Sequence, residues 1–371
     1  MNARKKILDA YHHALAELDL ERAVAKACER FPKRPHRVIA IGKAAQAMFA
    51  GTRALDIEDA VVIGPNDAGH PLPDARSVRA AKRCLDLVAR PGDARILVLV
   101  SGGSSALVCA PAPSVTLADK RAVTRAMLTS GATIQQINVV RKHLSRIKGG
   151  GLARAASPRE VVTLIASDVI GGHPSDVGSG PSVLDDTTPR EARALLRRFA
   201  PEHSSLPLVP TLSQDKRPLR ARILVSPEHL ARAVAGELDA KVLRASQASV
   251  EDLAAEYALR AKRLRRGETV VRAAEPSVVV TRAGKGGRST HLAALVARKL
   301  PAGVTFAAIA SDGVDGASGT SGAIVEKLSG SNLDDAIDAF DTGAFLRRVR
   351  AALPGKPSGH NLADLHVLVR W

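Results

Sequence analysis

Short, mainly apolar runs recur along the chain, most of them ending at a polar break often rich in glycine and followed by an amphipathic stretch. Residues 37–41, 60–64, 96–100, 161–166, 222–225, 278–281, 306–310 and 365–369 are such runs. Apolar runs without alternation read as strands buried on both faces, which requires a sheet covered by helices. Helical periodicity fills the intervals. One stripe carries Leu8, Tyr11, Leu15 and Leu18 across 4–29, and others cover 77–89, 117–130, 188 onward, 228–238, 249–266 and 290–300. Strand then helix, repeated, indicates α/β architecture, and the irregular period leaves no short internal repeat. The 371 residues exceed the usual single domain. A Pro-rich, basic stretch ahead of the run at 222 sets a boundary near 220, giving domains 1–220 and 221–371.

The breaks matter because ligands of such sheets sit beyond the carboxyl ends of the strands. The central run 96–100 stops at Ser101-Gly102-Gly103-Ser104-Ser105, where glycines admit a close ligand and hydroxyls add donors. A tight turn without ligand fits that stretch equally well. Run 37–41 ends at Gly42-Lys43, a cation at a strand–turn–helix junction that suits phosphate or is a surface lysine after a turn. No Walker A motif is present. His70 lies in a turn-rich loop, 66–74, where it contacts substrate or simply packs. Arg141, Lys142, His143, Arg146 and Lys148 lie in one segment closed by three glycines. It reads as a solvated basic helix or as a polyphosphate-facing one. Asp168 follows run 161–166, placed for a base, a Mg²⁺ ligand or a helix cap, and Ser179-Gly180 come just after. In the second half Gly284, Gly286, Gly287 and Arg288 form another glycine-rich strand-to-helix loop. Asp312 and Asp315 stand at a further strand end.

Apolar residues make up 45% of the chain and aromatics only 2%, so the core is built of Leu, Val, Ile and Ala. No apolar run approaches the ~20 residues of a membrane span, and the basic N-terminus lacks the apolar stretch of a signal peptide. Cys28, Cys84 and Cys109 have no metal or redox spacing. They read as buried thiols in a reducing, cytoplasmic compartment. The net charge of +17 comes mostly from arginines spread along helices, densest at 190–198 and 260–266. Without interleaved aromatics or a nucleic-acid motif, it reads as a solvated basic surface that steers small anions.

Five stretches in this order resemble the glycerate 2-kinase family, whose C-terminal part is the MOFRL domain. They are Ala40-Ile41-Gly42-Lys43-Ala44, Gly69-His70-Pro71-Leu72-Pro73-Asp74 and Ser101-Gly102-Gly103-Ser104-Ser105-Ala106, then Val140 to Ser145 with Lys148-Gly149-Gly150, and Ser167-Asp168-Val169 with Ser179-Gly180-Pro181. The resemblance covers nearly the whole chain. It implies a larger N-terminal Rossmann-like α/β/α sandwich, a smaller C-terminal MOFRL-type α/β domain, and an active site in the cleft between them. It further implies transfer of the γ-phosphoryl of ATP to the C2 hydroxyl of D-glycerate with Mg²⁺. On this reading Lys43 and Arg288 are the catalytic cations. Asp168 orients the substrate hydroxyl or the metal, and Asp312 and Asp315 hold Mg²⁺. Gly42, His70, Ser101 to Ser105, Arg141, Lys142, Lys148, Ser179, Gly180, Gly284, Gly286, Gly287 and Asn361 bind substrate or nucleotide. The implied partners are a small anionic hydroxy acid and ATP, with no nucleic acid and no membrane; a homodimer is compatible with it.

The second half departs from the family pattern. Ser289, Thr290 and His291 stand where Asn-Gln-Glu is expected after Gly-Gly-Arg. The segment 311–319 ends in Gly319 instead of an acid, and Lys356-Pro357-Ser358-Gly359-His360-Asn361 replaces G-P-T-G-T-N. Such losses redirect selectivity or leave a non-catalytic binding protein on the same scaffold. Two further readings compete. Gly102-Gly103-Ser104-Ser105-Ala106 approaches a G-x-S-x-G nucleophile elbow, with Asp168 and His291 as an acid and a base. An oxidoreductase acting on hydroxypyruvate is the other, against which stands the lack of a G-x-G-x-x-G fingerprint.

Overall fold

The structure, a computed structural model, describes residues 3–69, 72–215, 219–280 and 282–371. The chain divides into two compact units that are discontinuous in sequence. One comprises Leu20–Ser167 and Gly172–Val225, the other Met1–Asp19, Asp168–Gly171 and Ser226–Trp371.

The first unit is built on a parallel sheet of β1 (His36–Ile41), β2 (Ile57–Ile63), β3 (Arg95–Ser101), β4 (Val161–Ala166) and β5 (Leu219–Val225). The order is β2-β1-β3-β4-β5. In β1, β3 and β4 every residue is buried, as unbroken apolar runs require. The edges β2 and β5 are half-exposed and carry polar residues, so the sequence reveals only their apolar ends. The expected boundary at 220 falls inside β5, which pairs in parallel with β4. In this doubly wound order the chain reverses direction of travel between β1 and β3. That switch point opens a crevice at the strands' carboxyl ends.

The second unit holds a mixed sheet of β6 (Lys241–Val242), β7 (Thr269–Ala274), β8 (Val304–Ala310), β9 (Thr320–Val325), β10 (Ala352–Pro354) and β11 (Asp364–Arg370). The order is β10-β9-β8-β11-β7-β6, with β11 antiparallel to both neighbours. Its core packs Tyr257, Leu292, Val296, Phe306 and Leu346 between the sheet and its helices.

The single helix expected over 4–29 is two, Ala3–Glu17 and Leu20–Cys28, and they belong to different units. The strand expected at 278–281 is not formed among its described residues. Val279 is 83% exposed, and the strand of that region is β7 instead. Helix starts follow their caps. Asp74, Thr116, Thr133 and Thr188 each accept from the backbone three residues on. The three cysteines are buried free thiols. No described helix is long and apolar enough to cross a membrane.

Candidate active site

At the switch point Gly42 and Lys43 follow β1 and pack on the Ser101–Ser105 turn after β3. The Lys43 backbone N–H donates to Gly102 O at 2.9 Å, and the Ala44 N–H to Ser101 Oγ at 3.0 Å. Gly42 has φ +129, and a Cβ there would lie 2.1 Å from Ser101 Oγ, so the turn accepts no side chain. The result is an exposed lysine on a rigid turn beside the sheet's ligand-binding edge. Ser101 thus departs from its expected role, because its hydroxyl is spent on the turn itself.

Gly103 and Ser105 line a cavity of about 180 Å³ together with Arg141 and Lys148. Ser105 Oγ lies 3.0 Å from Lys148 Nζ and 3.1 Å from Ser179 Oγ. Ser104 Oγ is buried with no hydrogen-bond partner among the described residues, which removes it as a hydrolytic nucleophile. The basic segment 141–148 splits by direction. Arg141 and Lys148 face the cavity, whereas Lys142 turns inward and pairs with Asp185, both almost fully buried. Burial pushes the Asp185 carboxyl up, but its bonds to Lys142 and Thr187 outweigh this and hold it below the ordinary range. Lys142 is therefore structural and not an anion ligand. His143 is buried against Val209 O at 2.7 Å and Thr187 Oγ1 at 3.1 Å. Ser179 and Gly180 lend their carbonyls to the Gly149 and Gly150 N–H groups at 3.0 and 2.7 Å. Gly180 shows no contact with the cavity. His70 lies outside the described residues.

In the second unit a cavity of about 490 Å³ gathers Gly284, Gly286, Gly287, Arg288, Asp312 and Asn361. Its rim is apolar, from Val278, Val280, Val314 and Phe340. The Asn361 Nδ2 group donates to Asp168 Oδ2 at 3.2 Å, which ties a fifth distant stretch of chain to the same place. Arg288 opens the helix Arg288–Ala297 and is gripped by Asp364, Nε to Oδ2 at 2.8 Å and Nη2 to Oδ1 at 2.9 Å, with Nη1 3.3 Å from Glu275. Burial opposes the guanidinium charge, but these carboxylates hold Arg288 above its ordinary range. Burial pushes Asp364 up to about 6 against the pull of Arg288 and Ser289.

The two expected metal ligands separate. Asp312 is exposed at the cavity, its loop fixed by the Ser358 N–H donating to Asp312 O at 3.0 Å. Asp315 also lines the cavity, but it is 1% exposed and its carboxylate is engaged by the neighbouring helix start. It accepts from the Ser289 N–H at 2.9 Å, the Thr290 N–H at 2.8 Å and the Thr290 hydroxyl at 2.7 Å, neutralising the helix start. It is a clamp and not a metal ligand. Gly284, Gly286 and Gly287 owe their identity to protein packing. Added Cβ atoms would lie 2.3 and 2.6 Å from Phe340 O and 2.2 Å from Asp315 O. Three of the positions that depart from the family pattern, 289–291, are absorbed internally. Ser289 Oγ donates to Asp364 at 3.1 Å, Thr290 bonds Asp315, and the buried His291 ring packs 4.7 Å from Phe340.

Sequence reasoning missed Lys120, Arg121, Asp364 and the valine rim. Lys120 had a signal, since it shares the helical stripe of Val123 and Met127, a lysine at a core position.

Two family models match the chain in succession. A family model described as "Domain of unknown function (DUF4147)" matches residues 6–211, and one described as "MOFRL family" matches residues 268–364. A protein of Agrobacterium vitis, provisionally named a hydroxypyruvate reductase, is 33% identical and covers 100% of this chain and 95% of its own. The D-glycerate 2-kinase of Thermotoga maritima is 29% identical over 96% of this chain and 92% of its own. A crystal structure of glycerate kinase from Thermotoga maritima superposes with a TM-score of 0.88 at 26% identity, covering 99% of each chain. With both family models in order along one chain and relatives matched end to end, the protein belongs to the glycerate 2-kinase family, a DUF4147 region followed by a MOFRL region.

Proposed function

We propose that the chain is a kinase that transfers the γ-phosphoryl group of ATP to the C2 hydroxyl of D-glycerate, or of a closely related small hydroxy acid. The observation that carries this reading is the second-unit cavity, where Arg288, Asp312 and the Asn361–Asp168 pair meet beneath an apolar rim. Phosphoryl transfer asks a protein mainly for positioning and positive charge. The cavity's volume and its Val278, Val280, Val314 and Phe340 rim fit a nucleoside, with Arg288 on the polar floor for phosphate oxygens. Magnesium typically keeps waters and takes one or two carboxylates plus phosphate. Asp312 alone fits that requirement, and when bound the ion would spread positive charge over the phosphates.

The protein's own groups do the rest. Asp364 and Glu275 fix the Arg288 fork, so its charge is preorganised. Asp168, held by Asn361, is assigned the proton of the acceptor hydroxyl. Lys43, on its turn after β1, is assigned the charge of the transferred phosphoryl on the strength of the family motif.

The test is ADP release with MgATP and a panel of small hydroxy acids led by D-glycerate, for wild type and Lys43→Ala. Turnover on D-glycerate, lowered by the substitution by ~10² or more, supports the reading. ATP binding with no turnover on any acid gives a non-catalytic relative. NADH consumption with hydroxypyruvate supports a reductase, the activity in the name of the Agrobacterium vitis relative.

A further inference from the structure

The small cavity of the parallel-sheet unit holds cations that no described lining carboxylate neutralises. It is lined by Lys148, Lys120, Arg121 and Arg141, and by no Asp or Glu among the described residues. Lys148 is 3% exposed and Lys120 6%. The Lys148 ammonium donates to Ser105 O at 2.8 Å and meets Ser105 Oγ at 3.0 Å, both neutral groups. Lys120 Nζ has one partner among the described residues, Leu144 O at 2.9 Å, which leaves two of its three N–H donors for the cavity. Arg141, on the helix Ile134–His143, makes no hydrogen bond or ion pair with any described residue. Elsewhere the buried cations are matched, as Lys142 is by Asp185 and Arg272 by Glu256.

Burying a charge without a counter-charge is expensive, and here like charges crowd one another as well. Such an arrangement persists when an anion completes it. The remaining wall is mostly apolar, from Leu72, Pro73, Ala106 and Cys109 beside Thr124, with no aromatic ring among the described residues to stack a base. Its volume of about 180 Å³ contrasts with about 490 Å³ in the nucleotide candidate. A short-chain acid matches both the charge and the apolar wall; a nucleotide does not.

We propose that this cavity seats the carboxylate of the small hydroxy acid, held by Arg141, Lys148 and Lys120. The proposal rests on the kinase reading for the acid's identity, but not for the existence of an anion site. None of these residues is assigned to phosphoryl transfer, so they set acceptor affinity and not nucleotide affinity.

The test is direct binding of D-glycerate, inorganic phosphate and a non-hydrolysable ATP analogue to the full chain by calorimetry. It compares wild type with Arg141→Ala and Lys120→Met. The expected result is a loss of at least ~10-fold in D-glycerate affinity for each variant, with analogue affinity within about 2-fold. Lys120→Met adds an independent readout. It removes an uncompensated buried charge, so the melting temperature rises while acid affinity falls. Equal D-glycerate affinity in folded variants overturns the proposal. So does a lowered melting temperature with acid binding intact, which marks Lys120 as merely structural. Loss confined to phosphate or to the ATP analogue overturns the assignment to carboxylate. Acid binding that depends on these cations in a protein without kinase turnover keeps the site and defeats the kinase reading instead. Turnover whose KM for D-glycerate is unmoved by the substitutions does the reverse.

Discussion

Arg288 and Asp364 form a two-point ion pair that ties the first residue of a helix to the first residue of β11. The carboxylate is 1% exposed, while the guanidinium lines the nucleotide candidate cavity. The pair therefore serves stability and chemistry at once, and substitutions can separate the two. Arg288→Ala strands a buried carboxylate and should destabilise by ~3–5 kcal/mol in urea unfolding. Replacing both members, Arg288→Met with Asp364→Leu, should recover most of that loss yet leave kcat at least ~100-fold below wild type. Activity restored along with stability would contradict a catalytic Arg288.

Asp312 and Asp315 stand three residues apart and should behave oppositely. Asp315→Ala removes the acceptor of two helix N–H groups and a hydroxyl, so unfolding free energy should fall by ~2–4 kcal/mol. Asp312→Ala touches an exposed carboxylate and should leave stability within ~0.5 kcal/mol. Its signature should be a raised magnesium requirement in the ADP-release assay. Equal metal dependence in the wild type and Asp312→Ala would withdraw the assignment.

Gly42→Ala tests the turn that carries Lys43. A Cβ 2.1 Å from Ser101 Oγ, at φ +129, cannot be accommodated without moving one of the two strands' ends. The expected cost is ~1–3 kcal/mol, with a loss of kcat larger than the loss of stability explains. The companion Ser101→Ala should weaken the turn more mildly, since it removes one hydrogen bond to the Ala44 N–H.

The cation-lined cavity makes acid binding pH-dependent. Burial first, then Lys120 and Arg141, against an opposing pull from Cys109, lower Lys148 to about 7. Burial, with Arg141 adding to it and Cys109 opposing it, lowers Lys120 to about 8. Arg121 also faces the cavity. KM for the acid should therefore climb as pH rises through 7 and 8. The sign for stability is opposite. An unfolded lysine keeps its proton to ~10.4, so the unfolded state binds more protons above pH 7 and stability from these groups rises with pH. Urea midpoints from pH 7 to 9.5 should show that slope in wild type, and a smaller one in Lys148→Met or with saturating D-glycerate.

How much of this was legible in the sequence depended on whether partners were local. The runs that became β3, β4, β8 and β11 were readable because both faces are buried. β7 was hidden by Arg272, whose charge is matched by Glu256, sixteen residues away. The valines at 278–280 imitate a strand, but Val278 and Val280 line a cavity and Val279 is exposed. Lys43 and Asp312 follow the carboxyl ends of β1 and β8, where such sheets place chemistry, whereas Arg288 was reached through the motif resemblance. Spacing could not tell Arg141 and Lys148 from Lys142, since the deciding partner, Asp185, lies 43 residues on. Nor could it tell Asp312 from Asp315, whose partners lie at the start of the helix Arg288–Ala297, about 25 residues earlier in the chain.

The central claim is tested most directly by phosphorus and carbon NMR of the product formed from carbon-labelled D-glycerate, MgATP and the wild-type protein. The account predicts ADP and a phosphate ester coupled to C2, absent with Lys43→Ala. An ester on C3, or a product that forms equally well without Lys43, would contradict it.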